Sequence, residues 1–495
     1  MGCLILGRSL GNDIAKLFSS KIAAQVLVFL TAPAIARIFT PENIGIRRIV
    51  LSIANVISVV TCLRYDLSIP VAKDQREASA GFILSLFFTF IFTSLASVVV
   101  FLGGDDIARK YYTPEVGKFL WLLPLAILLG GFNSALIAWT SRERKFGVLA
   151  WSTFTYAHAG KPVSIFLGIF ISATTASLFF GYFSGAVLGV LMFTAFMGRG
   201  LITDIRESKL NLSQIYSIAR DYWKFPLYTT WQGLINALSN ELPSMLLGIF
   251  FTTTIVGYYS QGYALVSLPM AMLGVSFSQI FYPTAAKEYN ETGSLKNIVT
   301  SMYRVLIQVG IFPILVMAFC GSVLFSLVLG EKWLEAGIYA QILSGYVLFQ
   351  FMSSPLSTTF NILQRQGTAL VINIVILILK AMALFSGSYL GGPRLTLALY
   401  TVVSAFGYGY KFCWVFQNTD VSLKWGAGIF LKYILLSSAL LAPVSFLVYR
   451  WQNIVFVLCI LVISLIIYLY ILYRFEATFR NFVKNTVFKR FDINK

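Results

Sequence analysis

Long apolar stretches alternate with short polar connectors along the whole chain. A membrane-crossing helix needs about 20 mostly apolar residues, and about fourteen such stretches can be identified. The longest connector covers residues 199–223 and leaves no room for a folded extramembrane domain. The pattern therefore predicts an all-α polytopic membrane protein. The predicted spans are 14–39, 46–71, 79–102, 118–140, 147–171, 175–198, 224–250, 256–284, 300–329, 337–361, 367–390, 395–418, 427–448 and 452–474.

The composition supports a membrane protein and limits the kinds of binding site that the chain can form. Of the 495 residues, 58% are hydrophobic and only 12% are charged, whereas ordinary soluble domains have about 25% charged residues. The single histidine, His158, and five isolated cysteines offer no obvious ligand set for zinc or iron and no disulfide framework. No GxxxxGK[ST] segment for ATP is present. We therefore expect the lipid bilayer as a partner, with no metal, no ATP site and no nucleic acid.

The chain carries 38 Lys and Arg residues against 20 Asp and Glu, and their placement predicts its orientation. Cytoplasmic connectors of membrane proteins carry the excess of Lys and Arg. With both termini in the cytoplasm, the inner connectors hold 22 of these cations and the outer connectors hold 9. The first outer connector, with Arg37, Arg47 and Arg48, goes against the rule. The count nevertheless predicts that both termini are cytoplasmic.

Seven further cations lie inside the predicted spans, where only two acids, Asp66 and Glu241, accompany them. An ionisable side chain at bilayer depth costs about 2.5 kcal/mol or more on insertion scales, so it usually faces a wet cavity or a partner. The interior of the helix bundle is therefore predicted to be net positive. The seven cations are Lys21, Arg64, Lys161, Arg304, Lys380, Lys411 and Lys432.

A short motif, FTxxxxG, occurs at residues 39–45 and again at 251–257, before the second span of each half. Lys161 and Lys380 also occupy roughly corresponding mid-span positions. Six spans per half predict a parallel repeat about an axis along the membrane normal, with a cavity between two lobes. A chance match of two apolar turns is the alternative. The predicted organisation is a six-helix lobe at 1–200, a cytoplasmic connector at 201–222, a second six-helix lobe at 223–420, an added helix pair at 421–474 and a basic cytoplasmic tail at 475–495.

Several segments resemble one family of transporters. The chain is similar to the polysaccharide repeat-unit flippases, of the O-antigen type, in the multidrug/oligosaccharidyl-lipid/polysaccharide (MOP) exporter superfamily. The resemblance covers most of the chain, and its apolar motifs identify the superfamily better than the sugar carried. The motifs are FTPENIG at 39–45, LRYD at 63–66, KFPLY at 224–228, LIN at 234–236, ELP at 241–243, VGYY at 256–259 and SQIFYP at 278–283.

This resemblance implies a transporter of the bacterial inner membrane and not an enzyme. It would move an undecaprenyl-diphosphate-linked oligosaccharide to the periplasmic leaflet by alternating access, for O-antigen, capsule or exopolysaccharide biosynthesis. A polysaccharide polymerase and chain-length machinery are candidate partners. No cofactor is expected, and a proton or sodium gradient is the candidate energy source. Fourteen spans also resemble the lipid II flippase, whose extra helix pair forms a groove for the lipid.

A diphosphate-linked sugar head is anionic, so cations within the spans are the candidate substrate-binding residues. Arg can hold two phosphate oxygens with its planar fork, whereas Lys supplies a mobile point charge. We expect Arg64, Lys161, Lys380 and Arg304 to line the cavity. The alternative for each is a structural ion pair or a side chain that reaches the lipid headgroups. A side chain that reaches the headgroups is favoured for the four cations near the cytoplasmic rim, Lys21, Arg304, Lys411 and Lys432.

The two acids within the spans, Asp66 and Glu241, are candidates for counter-charges or for ion-coupling carboxylates. Helix positions i and i+2 do not face one another, so Arg64 and Asp66 are expected to pair with other helices.

Two other functions compete with the flippase. A multidrug or cation antiporter of the same superfamily would call for carboxylates within the spans, and the excess of cations there argues against it. A membrane glycosyltransferase or polymerase would use a sizeable outer loop with acidic or histidine chemistry. The longest outer connector, about 103–117, offers Asp105, Asp106 and Glu115 without a histidine.

Overall fold

The computed structural model describes residue 27 and residues 30–451, 453–476 and 479–480, and most of these residues are helical. No β-strand occurs within these ranges. Eight of the helices described are long and apolar enough to cross a membrane. The predicted all-α polytopic fold is therefore confirmed, while the count of fourteen crossings remains a prediction.

Packing divides the chain into two compact units, Met1–Gly257 and Tyr258–Lys495. In the first unit, residues 30–38 are helical, a 3-10 helix covers Tyr65–Val71 and a π-helical turn covers Phe225–Thr229. Its α-helices are α1 (Pro41–Thr61), α2 (Gln75–Tyr111), α3 (Pro114–Leu120), α4 (Leu123–Arg142), α5 (Phe146–His158), α6 (Gly160–Phe170), α7 (Thr175–Glu207), α8 (Leu212–Asp221) and α9 (Thr230–Phe250).

The helix α10 (Thr253–Val266) begins at the end of the first unit and continues into the second. The second unit also has a π-helical turn at Met270–Gly274 and a 3-10 helix at Glu331–Trp333. Its other helices are α11 (Val275–Thr292), α12 (Lys296–Leu329), α13 (Leu334–Leu356), α14 (Thr359–Ile362), α15 (Gln366–Leu390), α16 (Pro393–Gln417), α17 (Leu423–Arg450) and α18 (Ile454–Phe475).

Helix α1 begins earlier than the second predicted span. Thr40 accepts a hydrogen bond from the backbone N–H of Asn43 (3.2 Å), and Pro41 occupies the first turn. A side-chain cap followed by proline is a strong signal for a helix start. Arg47 and Arg48 therefore lie about two turns into α1 and not in a connector, which corrects the sequence interpretation.

The second predicted span, 46–71, is not one continuous helix. Helix α1 ends at Thr61, and Leu63 and Arg64 then adopt left-handed backbone angles, with φ of 43° and 59°. Residues with side chains adopt this conformation only at an energetic cost. The 3-10 helix Tyr65–Val71 follows at once. Arg64 and Asp66 consequently lie on a sharp turn and not on a regular membrane helix.

The two FTxxxxG turns meet inside the first unit. A methyl group at Gly45 would lie 1.7 Å from the carbonyl oxygen of Thr253, and one at Gly257 would lie 1.9 Å from the carbonyl oxygen of Pro41. Pro41 and Thr253 are the first residues of α1 and α10, and each lies four residues before its glycine. Only glycine permits such a close approach of two backbones. The repeat in the sequence therefore corresponds to a reciprocal contact in the structure.

The fifth predicted span, 147–171, is interrupted at a single residue, Ala159, between α5 and α6, and Ala159 itself keeps right-handed helical angles. Helix α6 begins at Gly160, where a methyl group would lie 1.8 Å from the carbonyl oxygen of Gly181 on α7. Gly185 also contacts Gly160 at backbone distance, since its methyl group would lie 2.7 Å from the Gly160 nitrogen. Small residues spaced by four allow helices to pack this closely. The break places Lys161 on the first turn of α6.

The added helix pair, α17 and α18, packs on α12 in the second unit. Gln308 on α12 donates a hydrogen bond to the hydroxyl of Tyr433 on α17 (2.7 Å). The hydroxyl of Tyr468 on α18 donates to the carbonyl oxygen of Gln308 (2.8 Å). Cys320 of α12 belongs to an apolar cluster that also includes residues of both added helices, such as Val457.

Candidate functional site

Two cations lie near one another in the first unit, on α1 and α6. The charges of Arg47 and Lys161 are close enough to repel one another. Tyr182 interacts electrostatically with Arg47, Tyr156 lies within hydrogen-bonding reach of Tyr182, and His158 is close enough to Lys161 to be affected by its charge. We call these five residues the Arg47–Lys161 cluster. Its geometry follows from the capped start of α1 and from the helix break before α6.

Neither cation of the Arg47–Lys161 cluster has an acidic partner in the described part of the chain. Arg47 and Lys161 make no hydrogen bond or ion pair with the described protein groups, although both side chains are half-buried. Like charges held together away from bulk water repel, and a bound anion relieves this repulsion. The cluster is therefore a candidate anion-binding site. Sequence reasoning identified Lys161 but missed Arg47, although the Thr40–Pro41 cap could have revealed that Arg47 lies in a helix.

Arg64 and Asp66 share the turn that follows α1. The guanidinium of Arg64 packs on α9, because a methyl group at Gly233 would lie 2.1 Å from its Nη2. Asp66 is buried, and its Oδ1 has no hydrogen-bond partner among the described residues. Arg64 is close enough to act electrostatically on Asp66. The sequence-based expectation that Arg64 and Asp66 pair with other helices assumed a regular helix. A left-handed turn takes the place of that helix, so the two charges act on each other directly.

Glu241 on α9 is held by side chains of α1. Arg48 Nη2 donates to Glu241 Oε2 (2.7 Å), and Asn55 Nδ2 donates to Glu241 Oε1 (2.9 Å). Arg48 Nε also donates to the hydroxyl of Ser244 (3.0 Å). Both oxygens of the carboxylate therefore have donors. Glu241 thus forms an ion pair with Arg48, and its predicted functional role stays a prediction.

A second pair of cations meets in the second unit, on α15 and α16. The Nζ atom of Lys380, which is only 1% exposed, lies 5.0 Å from the ring centre of Tyr408 and 5.5 Å from that of Tyr400. The Nζ atom of Lys411 lies 5.4 Å from the same Tyr408 ring. These distances suit cation–π attraction. Together with Tyr346, which packs on both tyrosines, these residues form the lysine–tyrosine cluster.

Lys411 does not extend toward the end of its helix. Helical side chains lean toward the N-terminus of the helix, and the Nζ atom of Lys411 lies over Tyr408, one turn earlier. The ammonium therefore points away from the last residue of α16, Gln417, and is close enough to Lys380 for their charges to repel. This direction corrects the expectation that Lys411 reaches the headgroups at the cytoplasmic rim.

The other predicted cations lie outside these two clusters. The guanidinium carbon of Arg304 lies 5.5 Å from the ring centre of Trp425, so α12 and α17 are in contact there. Lys432 forms an ion pair with Glu476 (2.5 Å). Lys21 and most of the predicted basic tail lie outside the described residues. Of the four cations predicted to bind substrate, Arg64 and Lys161 thus belong to the first unit and Lys380 and Arg304 to the second.

A family model described as polysaccharide biosynthesis protein matches residues 34–338, which is more than half of the chain. The chain belongs to this family. Membership confirms the resemblance identified from the sequence motifs.

Curated relatives carry related descriptions. The chain is 22% identical to the teichuronic acid biosynthesis protein TuaB of Bacillus subtilis (strain 168) over 190 residues, covering 38% of this chain and 39% of TuaB. It is 24% identical to the lipopolysaccharide biosynthesis protein WzxC of Escherichia coli (strain K12) over 310 residues, covering 60% of this chain and 58% of WzxC. These alignments thus span less than two thirds of either relative.

Solved structures with the same fold are transporters. The lipid II flippase MurJ in an inward closed conformation superposes with a TM-score of 0.72 at 14% identity, covering 92% of this chain and 99% of MurJ. An inward-facing multidrug resistance MATE family transporter of the MOP superfamily superposes with a TM-score of 0.65 at 13% identity, covering 81% and 98%. At these identities the likeness concerns the fold alone.

Proposed function

We propose that this protein is a flippase for a lipid-linked oligosaccharide and that the Arg47–Lys161 cluster binds the diphosphate of the cargo. The observation that carries this proposal is a pair of half-buried cations without an acidic partner among the described residues. The Arg47 fork can hold two phosphate oxygens, and Lys161 adds a mobile charge that can also release them. Membership of the polysaccharide biosynthesis family supports this cargo.

The cargo that fits this proposal is an undecaprenyl-diphosphate-linked repeat unit, carried across the bacterial inner membrane by alternating access. Both termini would be cytoplasmic, and a polysaccharide polymerase and chain-length machinery would use the product. A proton or sodium gradient would supply the energy. Because Arg48 and Asn55 already hold Glu241, Asp66 is the better candidate for the coupling carboxylate.

A multidrug antiporter is the second candidate, supported by the fold shared with the MATE transporter. The two functions differ in what loss of the gene would do. Under the flippase proposal, deletion removes surface polysaccharide and leaves susceptibility to cationic drugs unchanged. Increased drug susceptibility with normal polysaccharide would favour the antiporter instead.

Substitution of the Arg47–Lys161 cluster tests the proposed anion site. A hydrogen bond to a charged group contributes about 1.5–3 kcal/mol, so each of Arg47→Gln and Lys161→Gln should weaken cargo binding at least about tenfold. We expect less surface polysaccharide and accumulation of the lipid-linked precursor, at unchanged abundance of the protein in the membrane. Arg47→Lys should recover part of the function, because it keeps the charge and loses only the fork.

The matched control is Lys424→Gln, which removes a cation from an exposed position at the start of α17. It should leave the polysaccharide unchanged. Normal polysaccharide in the double variant Arg47→Gln, Lys161→Gln would overturn the proposed binding site.

A further inference from the structure

A cleft of about 560 Å³ lies in the second unit, between α11 and the turn that joins α13 to α14. Pockets that bind small molecules typically have about 300–1,000 Å³. Met270 and Ala271, which start the π-helical turn before α11, form part of its wall. Short π-helical segments are rare and frequently occur at functional sites. The size of the cleft and the backbone at its wall are therefore both typical of a ligand site.

The α11 wall of the cleft comes from the SQIFYP motif at 278–283, one of the motifs that carry the family resemblance. The Ser278 hydroxyl donates to the carbonyl oxygen of Gly274 (2.9 Å), so its oxygen can still accept a hydrogen bond. The Tyr282 side chain is 45% exposed, and it makes no ring contact or hydrogen bond with the described residues. This wall thus offers an open aromatic face with Pro283 beside it.

The opposite wall is formed by Ser354, Thr358 and Asn361. The Thr358 hydroxyl donates to the carbonyl oxygen of Pro355 (2.9 Å). The side chains of Ser354 and Asn361 make no hydrogen bond with the protein groups that the structure describes. A carboxamide has two donor hydrogens and an acceptor oxygen, and a hydroxyl both donates and accepts. This wall therefore presents hydrogen-bonding groups that the protein itself leaves unused.

The residues that line the cleft carry no charge. An ion that entered it would lose hydration without gaining a counter-charge, which is costly. A hydrocarbon chain would leave the amide and hydroxyl groups without partners. A sugar ring avoids both costs, because its C–H face packs on an aromatic side chain and its hydroxyl groups donate and accept hydrogen bonds. The chemistry of the cleft thus matches an uncharged sugar.

We propose that this cleft binds an uncharged sugar of the repeat unit and thereby selects which oligosaccharides are carried. The inference rests on the proposed function and deepens it, because it names the class of sugar that the flippase takes. The Arg47–Lys161 cluster in the first unit binds a diphosphate, which is the same in every such cargo. The cleft in the second unit binds hydroxyl groups, whose arrangement differs between sugars. Tyr282 and Asn361 are therefore specificity-determining residues.

Saturation-transfer difference NMR tests the cleft without the lipid part of the cargo, using the purified full-length protein in a detergent that has no sugar headgroup. The probes are methyl glucoside, which is uncharged, and methyl glucuronide, in which a carboxylate replaces the CH₂OH group of the same ring. Tyr282→Ala removes the aromatic face, and Asn361→Leu removes the amide at similar size. The matched control is Tyr470→Ala, at a tyrosine on α18 that is 65% exposed and lies outside the cleft.

We expect the wild type to bind methyl glucoside at least about tenfold more tightly than methyl glucuronide, because the carboxylate finds no counter-charge in the cleft. Tyr282→Ala should weaken binding of the glucoside about tenfold, and Asn361→Leu about fivefold. Tyr282→Phe keeps the ring and should recover most of the loss seen in Tyr282→Ala. Tyr470→Ala should leave binding unchanged.

Equal binding of the two glycosides would overturn the inference, because the cleft would then not select against charge. Equal losses in Tyr282→Ala and Tyr470→Ala would also overturn it, because the sugar would lie elsewhere. Ethidium, a cationic drug, is a third probe. Saturation transfer to ethidium that is lost in Tyr282→Ala, with none to the glucoside, would assign the cleft to a drug antiporter.

Failure of the sugar site can be distinguished from failure of the proposed function. If the double variant Arg47→Gln, Lys161→Gln loses surface polysaccharide while the wild type binds neither glycoside, the inference fails and the proposed function stands. If deletion of the gene leaves the polysaccharide normal while the cleft binds methyl glucoside as expected, the proposed function fails and the sugar site stands.

Discussion

Neighbouring residues on α1 carry the same charge and have different roles. Successive helical residues point about 100° apart, so Arg48 pairs with Glu241 on α9, whereas Arg47 lies close enough to Lys161 for their charges to repel. The protein supplies partners for the Arg48 guanidinium, whereas the Arg47 guanidinium is available to a ligand. The number of cations within the spans is therefore not the charge that a substrate meets. That charge depends on which cations already have a partner in the protein.

The ion pair between Arg48 and Glu241 is predicted to stabilise the first unit. The side chain of Glu241 is 11% exposed and that of Arg48 is 26% exposed. Removing one member of a buried pair costs about 3–5 kcal/mol, and an exposed pair contributes at most about 1 kcal/mol. For this partly buried pair we expect Glu241→Gln to lower the unfolding free energy by about 2 kcal/mol, measured by thermal or denaturant unfolding in detergent.

Glu335→Gln provides the matched control, because Glu335 also pairs with an arginine, Arg394, whose side chain is 60% exposed. This variant should lose less than about 1 kcal/mol. Equal losses in both variants would contradict a stabilising role for the partly buried pair.

Sequence reasoning identified residue types better than residue partners. It selected Lys161 and Lys380 from their mid-span positions, and each lies in a cationic cluster. It did not identify Arg47, because an arginine close to a turn motif was assigned to the connector. Nor could it find Asn55 and Arg48 as the donors to Glu241, since those contacts join helices far apart in the chain and no local pattern encodes them.

At the scale of helices, the breaks matter as much as the spans. Apolar stretches predicted where helices occur, but a hydropathy window cannot detect a turn inside an apolar stretch. The break before Gly160 and the left-handed turn at Leu63 and Arg64 both lie within predicted spans. Each break positions a candidate residue, Lys161 in one case and Asp66 in the other. Backbone packing, such as that between Gly160 and Gly181, sets the first of these positions.

The reciprocal glycine contact predicts a large effect of a small substitution. In Gly45→Ala the new methyl group would lie 1.7 Å from the Thr253 carbonyl oxygen, which cannot rotate away as a side chain can. Overpacking typically costs about 1–3 kcal/mol, and we expect a loss at the upper end of this range. The measurement is the unfolding temperature of the purified protein in detergent.

Gly103→Ala is the control, because the structure has no atom within 4 Å of a methyl group at that position in α2. Alanine is favoured over glycine inside a helix by about 0.5–1 kcal/mol, so this variant should be as stable as the wild type or slightly more stable. A Gly45→Ala protein with wild-type stability would show that the two turns can separate at little cost.

For the whole molecule, the main prediction is its orientation in the membrane. The prediction rests on the count of Lys and Arg along the sequence, with 22 in the inner connectors and 9 in the outer ones. We predict that Lys209, before α8, lies in the cytoplasm and that Glu331, before α13, lies outside; both are exposed.

Cysteine labelling measures this orientation. In a variant whose five native cysteines are replaced by alanine, a membrane-impermeant maleimide should label Glu331→Cys in intact spheroplasts. Lys209→Cys should be labelled only after lysis. The reverse pattern would contradict the predicted orientation, and labelling of both sites in intact spheroplasts would mean that the two connectors lie on the same side.

The contact between Gly45 and Gly257 also has a consequence for how this chain can evolve. If the two halves descend from a duplicated ancestor, most of their side chains were able to diverge independently. At this contact they were not, because a side chain at either position would strike the backbone of the other turn. A mutation of either glycine is therefore selected against because of a backbone turn that the other half of the gene encodes. The constraint is the same for Gly45 and for Gly257.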